Sequence, residues 1–281
     1  MSLATITFMT GRLYDDDPLT PGEREDIEAG LISFCDRELD LLGDIRGLDV
    51  LYAGGVSSLW VEGLSQRIGD GGALTAIEAN ADLVERARES LEDADLPAPI
   101  DFLVGDVFDF PFSPGTFDLV YSAGLFHELD VREKTAEDAL AALVRAVRPG
   151  GRVAASDWVD MGESPPPADL EWERMEAEAA RCIGGTILYG IGAPGRLIRL
   201  HEKGLHDVRW QVSPSHPLRY LDKIMLSEPD EPVEYVSLAG DTRRRLLARR
   251  RTLKERIRRE GYDRPATLYV EGRVEQNLPN G

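Results

Sequence analysis

The sequence predicts an α/β protein built on a doubly wound, mostly parallel sheet. Short apolar runs carry that prediction: Leu48 to Ala53, Ala73 to Ile77, Asp101 to Val104 and Phe117 to Tyr121. Helical patterns at 57–68 and 81–94 separate the first three, and short strands alternating with helices mark a parallel sheet. Each run also stops at glycine or a carboxylate: Gly54-Gly55, Glu78, Gly105-Asp106, and Ser122-Ala123-Gly124. Ligands of such a sheet sit beyond the carboxyl ends of its strands, so function is expected there.

Taken in order, residues 10–22 read as a loop, and Thr20-Pro21-Gly22-Glu23 has the chemistry of a helix start. That helix is expected to run to about Leu42, with Ile27, Leu31, Phe34, Cys35, Leu39 and Leu42 on one face. Ser57 and Ser58 can cap the helix after strand one, whose N-terminal amides then face the loop and favour a carboxylate ligand. Asn80 can cap the helix that follows Glu78. Strand four leads into Leu125-Phe126-His127-Glu128. His127 either acts as a general base or packs and positions backbone. Glu128 reads as a solvated partner of Arg132. A helix from Ala136 to Val147 stops at Pro149-Gly150-Gly151, and Val153-Ala154-Ala155 forms strand five, with Asp157 and Trp158 beside the expected pocket mouth. Residues 168–182 and 194–204 read as helices flanking the loop Gly184 to Gly190. Asp207 to Val212 and Ala266 to Val274 read as strands six and seven. Between them, Asp241 to Glu260 is a helix that holds most of the arginines. It reads either as a solvated helix balancing an acidic body or as a surface for RNA or an anionic substrate.

The composition narrows the classes. The formal net charge is −19, from 51 acidic and 32 basic residues, which repels nucleic acid unless a local basic patch exists. The two cysteines, Cys35 and Cys182, give neither a metal spacing nor a disulfide framework, so a reduced cytoplasmic setting and no metal are expected. No signal peptide is read at the start, and no stretch approaches the roughly 20 apolar residues of a membrane span.

The strand-end residues resemble those of class I S-adenosylmethionine-dependent methyltransferases of the small-molecule type. The resemblance rests on Val104-Gly105-Asp106, then Pro111-Phe112, then Ser113-Pro114-Gly115-Thr116-Phe117-Asp118, with Arg148-Pro149-Gly150-Gly151-Arg152-Val153 at the turn into strand five. It covers roughly residues 45–160, with a weaker echo to 275. It implies a seven-stranded, mostly parallel sheet in the order 3-2-1-4-5-7-6, with an N-terminal helix and an inserted helical cap. It implies S-adenosyl-L-methionine as cofactor, S-adenosylhomocysteine as product and a small-molecule methyl acceptor, with no nucleic acid or membrane partner, in a monomer or homodimer. The implied cofactor contacts are Ala53, Gly54 and Gly55 at the methionine end, Glu78 and Ala79 at the ribose, Asp106 and Val107 at the adenine, and Ser122 and Ala123 on strand four. Tyr14 either contacts the methionine carboxylate or packs its loop onto the body. His127 lies where the acceptor is expected and is the catalytic candidate. The implied organisation is an N-terminal helical cap over 1–44, a cofactor core over 45–160, a helical substrate cap over 161–205, and a strand pair with the Arg-rich helix over 206–281. Trp172, Met175, Cys182, Ile187 and Tyr189 are expected to line or cover the acceptor pocket, or else to pack the cap.

One departure stands out. The family's first loop reads acid-x-Gly-x-Gly-x-Gly, whereas this chain has Tyr52-Ala53-Gly54-Gly55-Val56-Ser57-Ser58. Val56 resists positive φ, so the loop either takes another path or turns through Gly54-Gly55. Two alternatives stay open: an RNA methyltransferase using the Arg-rich helix, and a non-catalytic module with a degraded cofactor loop. The motifs for methylating base amino groups or pyrimidine carbon-5 are absent.

Overall fold

The structure, a computed structural model, describes residues 18–109 and 111–275. Its sheet comprises β1 (Asp49–Ala53), β2 (Ala73–Glu78), β3 (Ile100–Val104), β4 (Phe117–Ala123), β5 (Val147–Trp158), β6 (His206–Ser213) and β7 (Thr267–Arg273). The spatial order is β3-β2-β1-β4-β5-β7-β6, as expected. β1 to β5 pair in parallel, and β7 inserts antiparallel between β5 and β6. All the parallel strands therefore end on one edge, where the glycines and carboxylates collect.

Two strands differ from the sequence reading. β3 is not a buried run: it pairs only with β2, at the sheet margin, and Val104 is 57% exposed. An edge strand covered on one face needs fewer apolar side chains than its composition suggests. β5 begins at Val147, ahead of Pro149-Gly150-Gly151, which makes an irregularity against β4 rather than a break. Gly151 is required there, because a Cβ would lie 2.6 Å from the Asp118 carbonyl oxygen.

Helix α1 (Pro21–Asp40) starts at the expected capping box, with Thr20 N donating to Glu23 Oε2 at 3.0 Å. Its apolar face is divided between two bodies. Phe34, Cys35 and Leu39 pack with Trp60, Val61 and Leu64 of α2 (Ser58–Ile68) over β1 and β2. Ile27 and Leu31 belong instead to a helical layer. That layer contains Trp172 and Met175 of α6 (Ala168–Gly184), residues of α8 (Leu221–Ser227), Tyr235 of a 3₁₀ turn (Val233–Ser237), and Leu246, Leu253 and Ile257 of α9 (Gly240–Glu260). The long connection between β6 and β7 thus builds this layer. Trp172 and Met175 are almost wholly buried in it, so they pack the cap rather than line a pocket.

The remaining helices flank the sheet. α3 (Ala81–Ser90) is capped by Asn80, whose Oδ1 accepts from Asp82 N at 3.0 Å, and it ends before 94 because residues 91–93 form a turn. α4 (Leu125–Glu128) is a single turn, α5 (Ala136–Ala146) covers β4 and β5, and α7 (Pro194–Gly204) packs Leu197 and Leu200 on the same core.

The arginines of α9 face carboxylates. Arg249 meets Glu171 and Glu178 at 3.1 and 3.3 Å, and Arg245 meets Glu178 at 2.6 Å. Arg243 pairs with Glu231. Arg250 is buried, donating to Glu176 Oε1 at 2.8 Å and to the Pro229 carbonyl at 2.9 Å, with its guanidinium 4.3 Å from the Trp172 ring. Lys254 reaches Asp230 at 2.8 Å. Arg243, Arg245, Arg249, Arg250 and Lys254 thus tie the helix to α6 and to the 228–231 segment, whereas Arg244, Arg256 and Arg259 pair within the helix itself.

Candidate functional site

At the end of β1, Gly54 N donates to the Ile77 carbonyl at 3.0 Å and Gly54 takes φ +76°. A Cβ there would lie 2.2 Å from Leu125 Cδ1, so the close approach of α4 to the loop needs glycine. Val56 keeps an ordinary backbone and is buried against α1 and α2. The turn is thus made through Gly54-Gly55, and Ser58 can already be helical. Ser57 is the N-cap of α2, but its side chain makes no cap bond, and its buried Oγ has no hydrogen-bond partner.

Glu78 closes β2. Its Oε1 accepts from Asn80 N at 2.8 Å, and the residue is buried. Burial pushes its carboxyl up, while the Asn80 amide pulls it partly back. Asp106 is exposed, and its Oδ1 accepts from Phe108 N at 2.9 Å in an Asx-type turn. Gly54, Glu78, Ala79, Asp106, Val107 and Glu128 border one cavity of about 460 Å³. It is bordered by a polar group at Glu78 and an apolar one at Val107.

A second chamber of about 90 Å³ lies between Gly54, Gly55, Ser57, Ala123, His127 and Glu38. A third space, a cleft of about 980 Å³, runs outward from His127 and Glu128 past Glu173, Ile187, Glu228 and Tyr235. Glu128 borders all three spaces. It does not pair with Arg132, which turns to Asp130 with Nε 2.7 Å from Oδ2. Instead Glu128 Oε1 lies 3.8 Å from His127 Nε2. Its side chain is 41% open to water, yet it sits where the cavities meet with protein all around, and that partial desolvation pushes its carboxyl up.

His127 is locked from two directions. Its Nδ1 is 2.6 Å from Asp157 Oδ1, and its backbone N donates to Asp157 Oδ2 at 3.1 Å. Its ring stacks on Trp158 at 4.7 Å. Burial pulls the imidazole down, but the charge and hydrogen bond of Asp157 outweigh it, helped by Glu128 and Glu173, and lift it to about 9. A value lifted that far favours the protonated ring, held in place by Asp157, at neutral pH. Glu173, across the cleft, is pushed up by burial to about 7.

Other expected residues fare unevenly. Ala53 and Ser122 are buried within the sheet and border none of these spaces, because strand alternation turns their side chains into the core. Ile187 borders the large cleft, whereas Tyr189 borders a small space behind His127 and Asp157. Cys182 is exposed and borders none of them. Tyr14 lies outside the described residues. Among the described residues there is no cluster of carboxylates, histidines and cysteines that could hold a metal.

The sequence reading missed Glu38, Phe34, Trp60, Arg264 and Thr267, all on the small chamber. A signal existed for Glu38 alone: it sits four residues after Phe34 and seven after Leu31, a carboxylate on an apolar helix face.

Residues 50–151 match a family described as a methyltransferase domain. A ubiquinone/menaquinone biosynthesis C-methyltransferase UbiE of Idiomarina loihiensis is 31% identical over 116 residues, 41% of this chain and 44% of that protein. The chain thus matches less than half the length of this curated relative. Among solved structures, phosphoethanolamine N-methyltransferase 2 of Haemonchus contortus in complex with S-adenosyl-L-methionine superposes with a TM-score of 0.53 at 15% identity, covering 87% of this chain and 53% of that one. The [4+2]-cyclase SpnF superposes at 0.54 and 15% identity, covering 95% and 87%. The chain has the fold of class I S-adenosylmethionine-dependent methyltransferases, and its residues 50–151 are similar to a methyltransferase domain.

Proposed function

We propose that the protein transfers a methyl group from S-adenosylmethionine to a small-molecule acceptor. One observation carries the reading: Glu128 borders the cavity beside Glu78, the chamber beside Gly55, and the open cleft, so a cofactor and an acceptor would meet at one point. In this reading Glu78 receives the ribose hydroxyls, since a carboxylate accepts paired hydrogen bonds from a vicinal diol. Asp106 and Val107 face the adenine, and Ala79 packs beside the ribose. Gly54, Gly55 and Ala123 surround the methionine end, and the orphaned Ser57 hydroxyl at the start of α2 offers a donor to its carboxylate. Tyr14 is retained as a candidate contact.

When bound, the cofactor supplies an activated methyl on a sulfonium, so the protein's own part is largely placement. His127, fixed by Asp157 and Trp158, presents a protonated ring toward the chamber and can hold an electron-rich atom of the acceptor. It serves as a base only once that proton is lost. α6, the 228–235 segment and α9 wall the acceptor cleft. The family match ends at residue 151, before those elements, so neither the quinone-related acceptor of UbiE nor the phosphoethanolamine of the nematode enzyme is carried over.

The ion pairs along α9 favour its reading as a cap helix over an RNA surface. Among the described residues, no helix is long and apolar enough to cross a membrane. A cytoplasmic monomer or homodimer with unpaired Cys35 and Cys182 completes the reading. Calorimetry with S-adenosylhomocysteine, followed by transfer of labelled methyl to a metabolite extract, tests it. No binding of S-adenosylhomocysteine would leave the non-catalytic module as the better account.

A further inference from the structure

We infer that Glu38, carried on helix α1 and not on the first strand, is the carboxylate that binds the α-ammonium of the cofactor's methionine end. The inference rests on the cofactor reading above and adds a residue to it. The first strand carries Tyr52 where the family pattern has an acid, and the Tyr52 ring is buried, stacked 5.9 Å from Tyr121. The strand therefore offers no charge to an ammonium group. The small chamber beside Gly54 and Gly55 nevertheless contains a carboxylate, because Glu38 reaches it from the facing helix.

Glu38 has the marks of a group built for a ligand. It is 3% exposed, its Oε1 accepts from Thr267 Oγ1 at 3.0 Å, the neighbouring Ser156 hydroxyl also acts on it, and no hydrogen bond closes on Oε2. Arg37 and Arg264 act on it through space. A buried carboxylate left half satisfied is costly to the fold, and a cation entering the chamber would offset that cost. Burial accordingly pushes the Glu38 carboxyl up.

The rest of the chamber is complementary to the other end of an α-amino acid. The Arg264 guanidinium lies 4.6 Å from the Trp158 ring and 5.7 Å from the Phe34 ring, and both rings border the chamber. Ser57 Oγ, without a partner, sits at the N-terminus of the eleven-residue helix α2. Glu38, Glu128 and Asp157 all border the chamber, but Asp157 is held by the His127 ring and backbone and Glu128 faces the other side of that ring, which leaves Glu38 as the carboxylate opposite a guanidinium and helix-terminal donors. That charge pattern suits a zwitterion. It also explains how the loop dispenses with its acid: the charge has moved to α1.

The test uses Glu38→Gln, which keeps an oxygen for Thr267 and removes only the charge. S-adenosylhomocysteine carries the ammonium and no sulfonium; 5′-methylthioadenosine lacks the whole amino-acid end. By calorimetry, the variant should bind S-adenosylhomocysteine roughly ten- to hundredfold more weakly, and methylthioadenosine as the parent does. Equal losses for both ligands, or no loss for either, would overturn the assignment while leaving the cofactor reading intact. Failure of the parent to bind S-adenosylhomocysteine would instead remove the cofactor reading and this inference with it. Should the variant not fold, the parent alone decides. It should prefer S-adenosylhomocysteine over its desamino analogue by a similar factor, and equal binding of the two would refute a carboxylate contact.

Discussion

Replacing Glu78 separates ligand binding from folding in a way the structure lets us work out. Two charge-assisted hydrogen bonds to ribose hydroxyls contribute about 2–4 kcal/mol, so Glu78→Ala should weaken S-adenosylhomocysteine binding roughly thirty- to thousandfold. An open strand end would make that change harmless to the free protein, but Glu78 is buried and holds Asn80 N at 2.8 Å, just ahead of α3. Losing that bond should cost the free protein about 1 kcal/mol and lower its melting temperature by about 2–4 °C. Glu78→Gln behaves differently. Burial raises the folded-state carboxyl above its unfolded value, so its contribution to stability is present at low pH and lost as pH rises through the folded value. Glutamine escapes that loss and can still accept from Asn80 N. The Gln variant should therefore melt at or above the parent at neutral pH, yet bind roughly tenfold more weakly. Calorimetry and thermal melts on the three proteins provide the readout. Parent-like affinity in Glu78→Ala would show that the cavity holds no ribose, and the site built around it would have to be given up.

The other expectations concern the dyad, the loop and the cap. The raised His127 value means that the His127–Asp157 pair stabilises fully below the unfolded histidine value and loses that contribution as pH rises through about 9; Asp157→Asn should flatten the fall in melting temperature over that window, and parallel profiles would refute the pairing. If His127 acts as a base, the transfer rate should climb over the same window and His127→Gln should abolish the climb. Gly54→Ala forces a Cβ to 2.2 Å from Leu125 Cδ1 at φ +76°, so it should weaken S-adenosylhomocysteine binding and destabilise the fold, with Leu125→Ala restoring part of the stability; additive effects of the two changes would argue against the clash. Arg250→Ala removes the cation shared by Glu176 and the buried Glu228 and should cost about 3–5 kcal/mol in urea unfolding, and Arg250→Met, which keeps the bulk but not the charge, should cost nearly as much. A much smaller cost for the Met variant would mean that volume, not charge, matters there.

The sheet was legible because each strand advertises itself locally, through a short apolar run and the residue that stops it. The order of β3, β2, β1 and β4 then follows from the resemblance rather than from any one run. What stayed hidden depends on contacts between distant residues. His127 and Asp157 are separated by 30 positions and meet only because β4 and β5 are neighbours. Trp172 stayed open between a pocket wall and cap packing because an aromatic on an acidic helix gives no hint that Arg250 will stack upon it. Val104 looked buried because composition does not reveal that a strand is at the margin. Glu38 was visible as a misfit on an apolar face, but only the structure shows the chamber that the misfit serves.

The divided face of α1 sets a timetable for the chain as it is made. Phe34 and Leu39 find their partners as soon as α2 and the first strands are available, but Ile27 and Leu31 wait for Leu246, Leu253 and Ile257 near the other end of the sequence. At roughly 5–20 residues per second of synthesis, that wait lasts on the order of ten seconds or more. Throughout it, half of the first helix and the apolar side of α6 have nothing to cover them, and β5 lacks β7 along its free edge. The wall of the large cleft is thus the last part of the molecule to close. Chains stalled ahead of α9 should be cut readily by protease at α6 while their first two strands and α2 resist. Equal resistance at both places would mean that the cap assembles without its final helix.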